Sequence, residues 1–182
     1  GAMAGHDGKP YMATLSNFGG VKAPNIESNE VQYPHLTLHH EMDGDTAGAG
    51  EYRGGCGMKY AFEITAEKGD VVNFGDGIKF APYGLRGGHP GSLNRSVFVH
   101  DGDEIIMESK EAPRHAVKGD RIYLNTSSGG GWGEPMKRAP QKVYEDVLDE
   151  IISKETAEAV YGVIINETGI DFEKTEKRRN LS

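Results

Sequence analysis

Glycine recurs in pairs and triplets through this chain, at Gly54-Gly55, Gly87-Gly88 and Gly129-Gly130-Gly131 among others, with no fixed period. Glycine weakens a helix interior and supplies the positive φ that tight turns need. The spacing therefore points to short strands joined by close turns. Glycine makes up 26 of the 182 residues, about twice the usual fraction. A chain of this length holds one core-bearing domain with room for a small appendage.

Strand patterns follow from that start. Val31 to Met42 alternates, with Leu36, Leu38, His40 and Met42 on one face and Tyr33, His35, Thr37, His39 and Glu41 on the other. Met58–Ala66, Asp70–Phe74, Ile78–Tyr83, Ser96–His100, Glu104–Ser109 and Asp120–Thr126 read as further strands. Asp101-Gly102 marks a hairpin, because a type I′ turn needs positive φ at both central positions. After Gly133 the pattern turns helical. Pro140 fits a first helical position, and Val143, Val147, Leu148 and Ile151 recur at helical spacing. Ser153 can cap a second helix that Gly162 ends, and Val163–Ile165 reads as a last strand.

The expected fold is mainly β, a sandwich or partly open barrel of short strands with a two-helix C-terminal appendage, α+β overall. Residues 1–3 read as the scar of a removed tag, which points to a piece of a longer protein. Residues 4–139 form the strand-rich body, with 4–30 irregular and wrapped on something else. Residues 140–165 hold the two helices and last strand, and 166–182 a polar, partly disordered tail.

Several function classes have little support. A net charge of −8 opposes nucleic-acid phosphates and acidic membranes. No apolar run is long enough to span a bilayer. The single cysteine, Cys56, excludes an intrachain disulfide and a cysteine zinc cluster, and fits a reducing cytoplasm. No G-x-x-x-x-G-K-[ST], G-x-G-x-x-G or G-x-S-x-G motif is present. Gly129–Gly131 is supple enough to cradle an anion, but no helix follows it directly to supply positive amides. His35 and His39 sit about 13 Å apart on a strand, too far for both to reach within about 2 Å of one zinc ion. No metal ligand is assigned.

The segment Ala81–Gly91 (APYGLRGGHPG) concentrates four glycines, two prolines, Tyr83, Arg86 and His89. Arg86 offers a planar fork for carboxylate or phosphate, and His89 can move a proton near neutral pH. The alternative is a structural loop with Arg86 paired to an acid of the same chain. Cys56 would need a cationic or basic neighbour to become a nucleophile. Arg53 and Lys59 are near it only in sequence.

Four blocks, in order, carry a resemblance to one family. Gly5–Pro34 has an HDG start and the spacing Ala23-Pro24, Glu27, Pro34. AGAGEYRGGCGMKYAFEI (47–64) is similar to a G-x-G-x-x-RGG-x-G block, and FAPYGLRGGHPG (80–91) to a P-[WY]-G-x-x-GG-x-PG block. SSGGGWGEPMKRAPQKVYEDVLDEIISKETAEAVYGVII (127–165) is similar to a GGGG-[YW]-G-[DE]-P ending that continues R-x-P-x-x-V-x-x-DV. Together they resemble the C-terminal region of B-type subunits of the hydantoinase B / 5-oxoprolinase / acetone carboxylase family.

The resemblance implies an actin-like A-type subunit that binds ATP with a divalent metal and phosphorylates a carbonyl or enol oxygen. The B-type subunit then hydrolyses a cyclic amide or carboxylates a ketone. It implies no cofactor within this chain, because the family's metal ligands lie in the N-terminal part of the B-type subunit. The partners expected are the A-type subunit and that N-terminal remainder, with no nucleic acid or membrane. No catalytic residue carries over. Arg53, Tyr83, Arg86 and His89 stand as candidates for holding substrate or intermediate, with Gly54, Gly55, Gly87, Gly88, Gly129, Gly130 and Gly131 as candidate loops. Leu85, Arg86 and His89 occupy variable positions of the pattern, which suits a substrate-specific role. A docking module for subunit assembly is the second expectation, and a self-sufficient ligand-binding β domain the third. The isolated chain is expected to be inactive.

Overall fold

The structure is a computed structural model and describes residues 1–9 and 25–181. The turns expected at Asn17–Gly20 and Ala23-Pro24 lie outside the described residues.

Helix α1, Ile26–Gln32, replaces the irregular run and the strand start expected there. The Asn25 side chain accepts a hydrogen bond from the Ser28 amide at 3.1 Å and starts the helix. Pro34 ends it, because the residue before a proline is driven to extended backbone; Tyr33 sits at φ −124°, ψ 143°.

Strands β1 (His35–Asp43), β2 (Gly57–Ile64), β3 (Lys68–Val71), β4 (Arg95–His100), β5 (Asp103–Ile106), β6 (Arg114–Val117) and β7 (Arg121–Asn125) follow. Five of them form one open antiparallel sheet in the order β1-β2-β7-β4-β5, and β3 pairs with β6 separately. The protein is mainly β, and among the described residues the sheets are open, with no closed barrel. Asp101 and Gly102, at φ 49° and 86°, make the β4–β5 turn as the sequence indicates.

One face of the sheet carries Phe62, Ile64, Ile122, Leu124, Phe98 and Ile105. With Met107, Ala116 of β6 and Val71 of β3 these form a continuous apolar cluster. The β3–β6 pair thus covers that face.

The alternation in β1 breaks at Leu38. His35 and Thr37 pair with Ile64 and Phe62, but His39 then pairs with Ala61 and His40 with Tyr60. One extra residue shifts the phase. His35 and His40 therefore share a face, while His39 turns to the other, where it meets Tyr123. The expected pairing of His35 with His39 on one face is corrected by this bulge.

The stretch 78–83, expected as a strand, is not one and forms one side of a long loop. Pro82 lacks an amide for a ladder, and its carbonyl instead accepts the Gly91 amide at 2.9 Å. Conversely, β6 lies in a stretch that showed no strand pattern.

After the short 3-10 turn Pro135–Lys137 come α2 (Pro140–Leu148) and α3 (Lys154–Ala159). Pro140 opens α2, and the Ser153 hydroxyl caps α3 by accepting the Thr156 amide. Gly162, at φ 64°, turns the chain out of α3. Val143, Ala157, Tyr161 and Val163 are fully buried and form a second core with Ala49, Cys56, Ile151 and Ile152. Burying one such valine stabilises the fold by roughly 1.5–3 kcal/mol.

Residues 166–181 depart from the expected tail. Strands β8 (Ile165–Asn166) and β9 (Gly169–Ile170) form a hairpin, and α4 (Phe172–Asn180) packs back on the body. The Asp171 carboxylate caps α4 by accepting the Lys174 amide at 3.0 Å. Buried Thr175 accepts the Ile164 amide, and Arg179 donates to the Tyr161 and Arg138 carbonyls at 3.0 and 2.9 Å. Lys177, Arg178 and Arg179 sit in the last turn of α4, where cations favour the helix dipole.

Candidate functional site

Three glycine-bearing segments, 48–57, 82–91 and 126–133, lock together between the two cores. The bonds run backbone to backbone. Gly48 donates to Gly129, Gly129 to Gly55, and Tyr52 and Trp132 exchange bonds of 3.0 and 2.8 Å. His89 donates to Ala49 at 2.7 Å, Gly131 to His89 at 3.0 Å, and Leu85 to Gly131 at 2.9 Å. The reason for glycine is close approach. A Cβ on Gly54 would overlap the Gly129 carbonyl oxygen, and one on Gly130 would overlap the Tyr83 carbonyl oxygen. Gly88 faces the Gly131 carbonyl, and Gly131 that of Ala49, in the same way.

Beneath this braid lies a buried charge network. Arg53 donates to one oxygen of Asp146 at 2.8 Å, and Arg138 donates to the other at 2.8 and 3.0 Å. Arg138, only 1 % exposed, also grips both oxygens of Asp7. Arg53 further donates to the Gly54 carbonyl, and its amide donates to Asp7. Burial works against the charge on Asp7, yet the bonds and charge of Arg138, with the Arg53 amide, hold its carboxyl below the usual range. Burial also opposes the Arg138 charge, and Asp7 and Asp146 outweigh it and raise that pKa. Tyr161 beside them is pushed up to about 12, chiefly by burial.

Arg53 is therefore part of the interior and not of a ligand-facing surface in this chain. Asp7, Arg138 and Asp146 escaped the sequence reading. One signal was present: Asp146 lies three residues after Val143, on the stripe of α2 that faces the core.

Cys56 is buried. Desolvation raises its thiol pKa, Arg53 opposes this, and Asp146, Asp43 and Asp45 push it further up. A thiol so placed stays protonated at neutral pH and makes a poor nucleophile.

Arg86 lies on the tip of the loop, and Tyr83 and His89 flank that tip in sequence. Leu85 to Gly88 is a tight turn with Arg86 at φ 54° and Gly87 at φ 92°, closed by a 3.0 Å bond from the Gly88 amide to the Leu85 carbonyl. All three side chains are exposed. Among the described residues Arg86 has no acidic partner, so the expected alternative of an internal ion pair is absent there. Glu134 lies beside Gly87 but pairs with Lys137 at 3.1 Å. The tip is fixed from behind by bonds from Leu85 to Gly131 and from Gly133 to Leu85. A rigid turn thus holds Arg86 exposed, with exposed Tyr83 and His89 on either side of it along the chain.

A Cβ on Gly129, Gly130 or Gly131 would meet the backbone of Gly1, Tyr83 or Ala49 respectively. Among the described residues no group of three His, Cys, Asp or Glu could hold a metal ion. No helix among them is long and apolar enough to cross a membrane.

Comparison with known proteins matches residues 1–135 to the family model described as Hydantoinase B/oxoprolinase. A protein of Pseudomonas sp. (strain NS671), provisionally named as the B-type subunit of a D-/L-hydantoinase, is 34% identical over 100% of this chain and 31% of its own length. The caprolactamase subunit beta of Pseudomonas jessenii is 31% identical over 93% of the chain and 30% of its own length. The crystal structure of the ATP-dependent caprolactamase from Pseudomonas jessenii superposes with a TM-score of 0.77 at 30% identity, covering 99% of this chain and 32% of that one. The chain thus spans about a third of the length of these relatives.

Proposed function

The chain belongs to the hydantoinase B/oxoprolinase family, and on that premise we propose that it is the C-terminal domain of a B-type subunit in an ATP-dependent enzyme that hydrolyses a cyclic amide or carboxylates a ketone. In this reading the domain walls the cavity that receives a phosphorylated intermediate. An actin-like A-type subunit supplies the ATP and divalent-metal chemistry, and the N-terminal part of the B-type subunit supplies the rest of the cavity. The chain works inside that complex, in the cytoplasm, and is inactive alone.

The observation that carries the proposal is the Leu85–Gly88 turn. It holds Arg86 in a left-handed conformation, with a guanidinium that is exposed and, among the described residues, without an acidic partner. Keeping a non-glycine residue there costs about 1–3 kcal/mol, and the braid behind it provides the restraint. Arg86 suits the phosphoryl or carboxylate oxygens of the intermediate, and His89 and Tyr83 can pass or hold a proton beside it. The test is turnover by the assembled enzyme carrying Arg86→Ala and His89→Ala. Each should fall about ten- to hundredfold, the range for losing one charged hydrogen bond, with the subunits still copurifying. Unchanged turnover would sink the proposal.

A second reading, a docking module, is favoured by a different observation. Large apolar side chains on the same loop, Phe80 and Leu93 among them, face outward uncovered.

A further inference from the structure

The loop from Gly77 to Asn94 behaves as a stiff arm. At its base the Asn94 amide donates to the Gly77 carbonyl at 2.9 Å, and the Asn94 side chain donates to the Asp76 carbonyl at 3.0 Å. Midway the Gly91 amide bonds Pro82, and the tip is closed at Leu85–Gly88. Backbone bonds and the polar side chains of Asn94, Ser92 and Ser128 fix its shape, so its apolar side chains are not needed inside. Phe80 is 86 % exposed, Tyr83 78 %, Leu85 50 % and Leu93 47 %, and Phe74 just before the base is 79 % exposed. Isolated exposed apolar residues are ordinary; several crowded on one rigid arm mark an interaction surface.

Charge narrows the partner. From Gly77 to Arg95 there is no Asp or Glu, while Lys79, Arg86 and Arg95 are present, on a chain whose net charge is −8. A basic, apolar arm on an acidic molecule fits an opposing face that is apolar and acid-bearing.

We propose that this arm is the seam on which the domain docks against the polypeptide that completes the relatives' length, through an apolar face of that polypeptide carrying Asp or Glu. The proposal rests on the family reading above. A solved chain in which this unit fills only 32% of the length carries the remainder covalently. Such tethering keeps the two parts at high effective concentration and permits a large, hydrophobic, permanent interface. A second copy of this chain is the competing occupant.

The probe is the portion of the Pseudomonas sp. (strain NS671) relative that this chain does not match, co-expressed with the full 182-residue chain carrying an affinity tag. The expected result is a one-to-one complex in which hydroxyl-radical labelling of Phe80 and Leu93 drops several-fold relative to the free chain. Phe80→Glu and Leu93→Glu should cut recovery of the complex at least tenfold. Their melting temperatures alone should match the wild type, since both side chains point to solvent. Lys79→Glu should weaken the complex more at low salt than at high salt. As a second measurement, the chain replaces its matched region in the intact relative, and the arm is labelled there. No complex in the first measurement together with full labelling of the arm in the second overturns the proposal. So does equal recovery with the Phe80 and Leu93 variants, or a free chain that dimerises through a protected arm. Loss of turnover in Arg86→Ala with the complex intact bears on the proposed cavity instead, so the two readings fail separately.

Discussion

Arg138 grips Asp7 through two bonds of 2.7 and 2.9 Å, one to each carboxylate oxygen, and so fastens the start of the chain to the segment that opens α2. Asp146 closes the network by holding Arg138 and Arg53 with its two oxygens. Removing one member of a buried pair leaves the other charge uncompensated.

Asp146→Ala should therefore destabilise the fold by about 3–5 kcal/mol, read from denaturant unfolding. Asp7→Asn should act more mildly and mainly through its pH dependence. The Asp7 carboxyl titrates below its ordinary 3.8. Its contribution is present above that value and is lost as pH falls through the lower, folded value. The variant should lose stability at neutral pH and show a shallower acid limb. An unchanged acid limb would show that Asp7 does not titrate as the structure requires.

The glycine braid should separate substitutions sharply by place. Gly54→Ala and Gly130→Ala each drive a methyl group into a carbonyl oxygen of a neighbouring segment. Each should cost about 1–3 kcal/mol or more. Gly69→Ala in β3, where a Cβ meets nothing within 4 Å, should stay within about 0.5 kcal/mol of the parent. Comparable losses at all three positions would contradict the packing.

His100 should make stability fall on the alkaline side. Its Nδ1 lies 2.9 Å from the buried Asp120 carboxylate, and that bond raises its pKa above the ordinary 6.5. The stabilisation is full below 6.5 and is lost as pH rises through the folded value. Melting temperatures on both sides of 6.5 should show this slope in the parent and a flatter one in His100→Gln. Identical slopes would remove the pair from the account.

Arg179 joins α4 to the carbonyls of Tyr161 and Arg138. Arg179→Met leaves both acceptors without this donor and should cost about 1–3 kcal/mol. Hydrogen exchange at Ile164, whose amide bonds the Thr175 hydroxyl across this junction, should quicken. If exchange there does not change, α4 is held by other contacts.

The mainly β character, the Asp101-Gly102 hairpin, the start of α2 at Pro140 and the capping of α3 by Ser153 were legible because each rests on residues adjacent in sequence. The phase of β1 was not. Period-two reading assumes regular pleating, and the bulge at Leu38 depends on how β2 pairs with it. The role of Arg53 was hidden for a related reason: its partner Asp146 is 93 positions away, and spacing along the chain does not encode such a contact. Residues 166–181 misled through their charge, since capping by Asp171 and burial of Thr175 are invisible to composition. The exposure of Tyr83, Arg86 and His89 was legible because one short, turn-rich segment carries all three.

A junction made of main-chain atoms has no side-chain complementarity to lose. At the Leu85–Gly88 tip the fastening is carried by amides and carbonyls of Leu85, Gly131 and Gly133, so whichever residue stands at 86 or 89 inherits the same platform. A change of side chain at 86 or 89 therefore alters what the tip displays and leaves the way it is held unaltered.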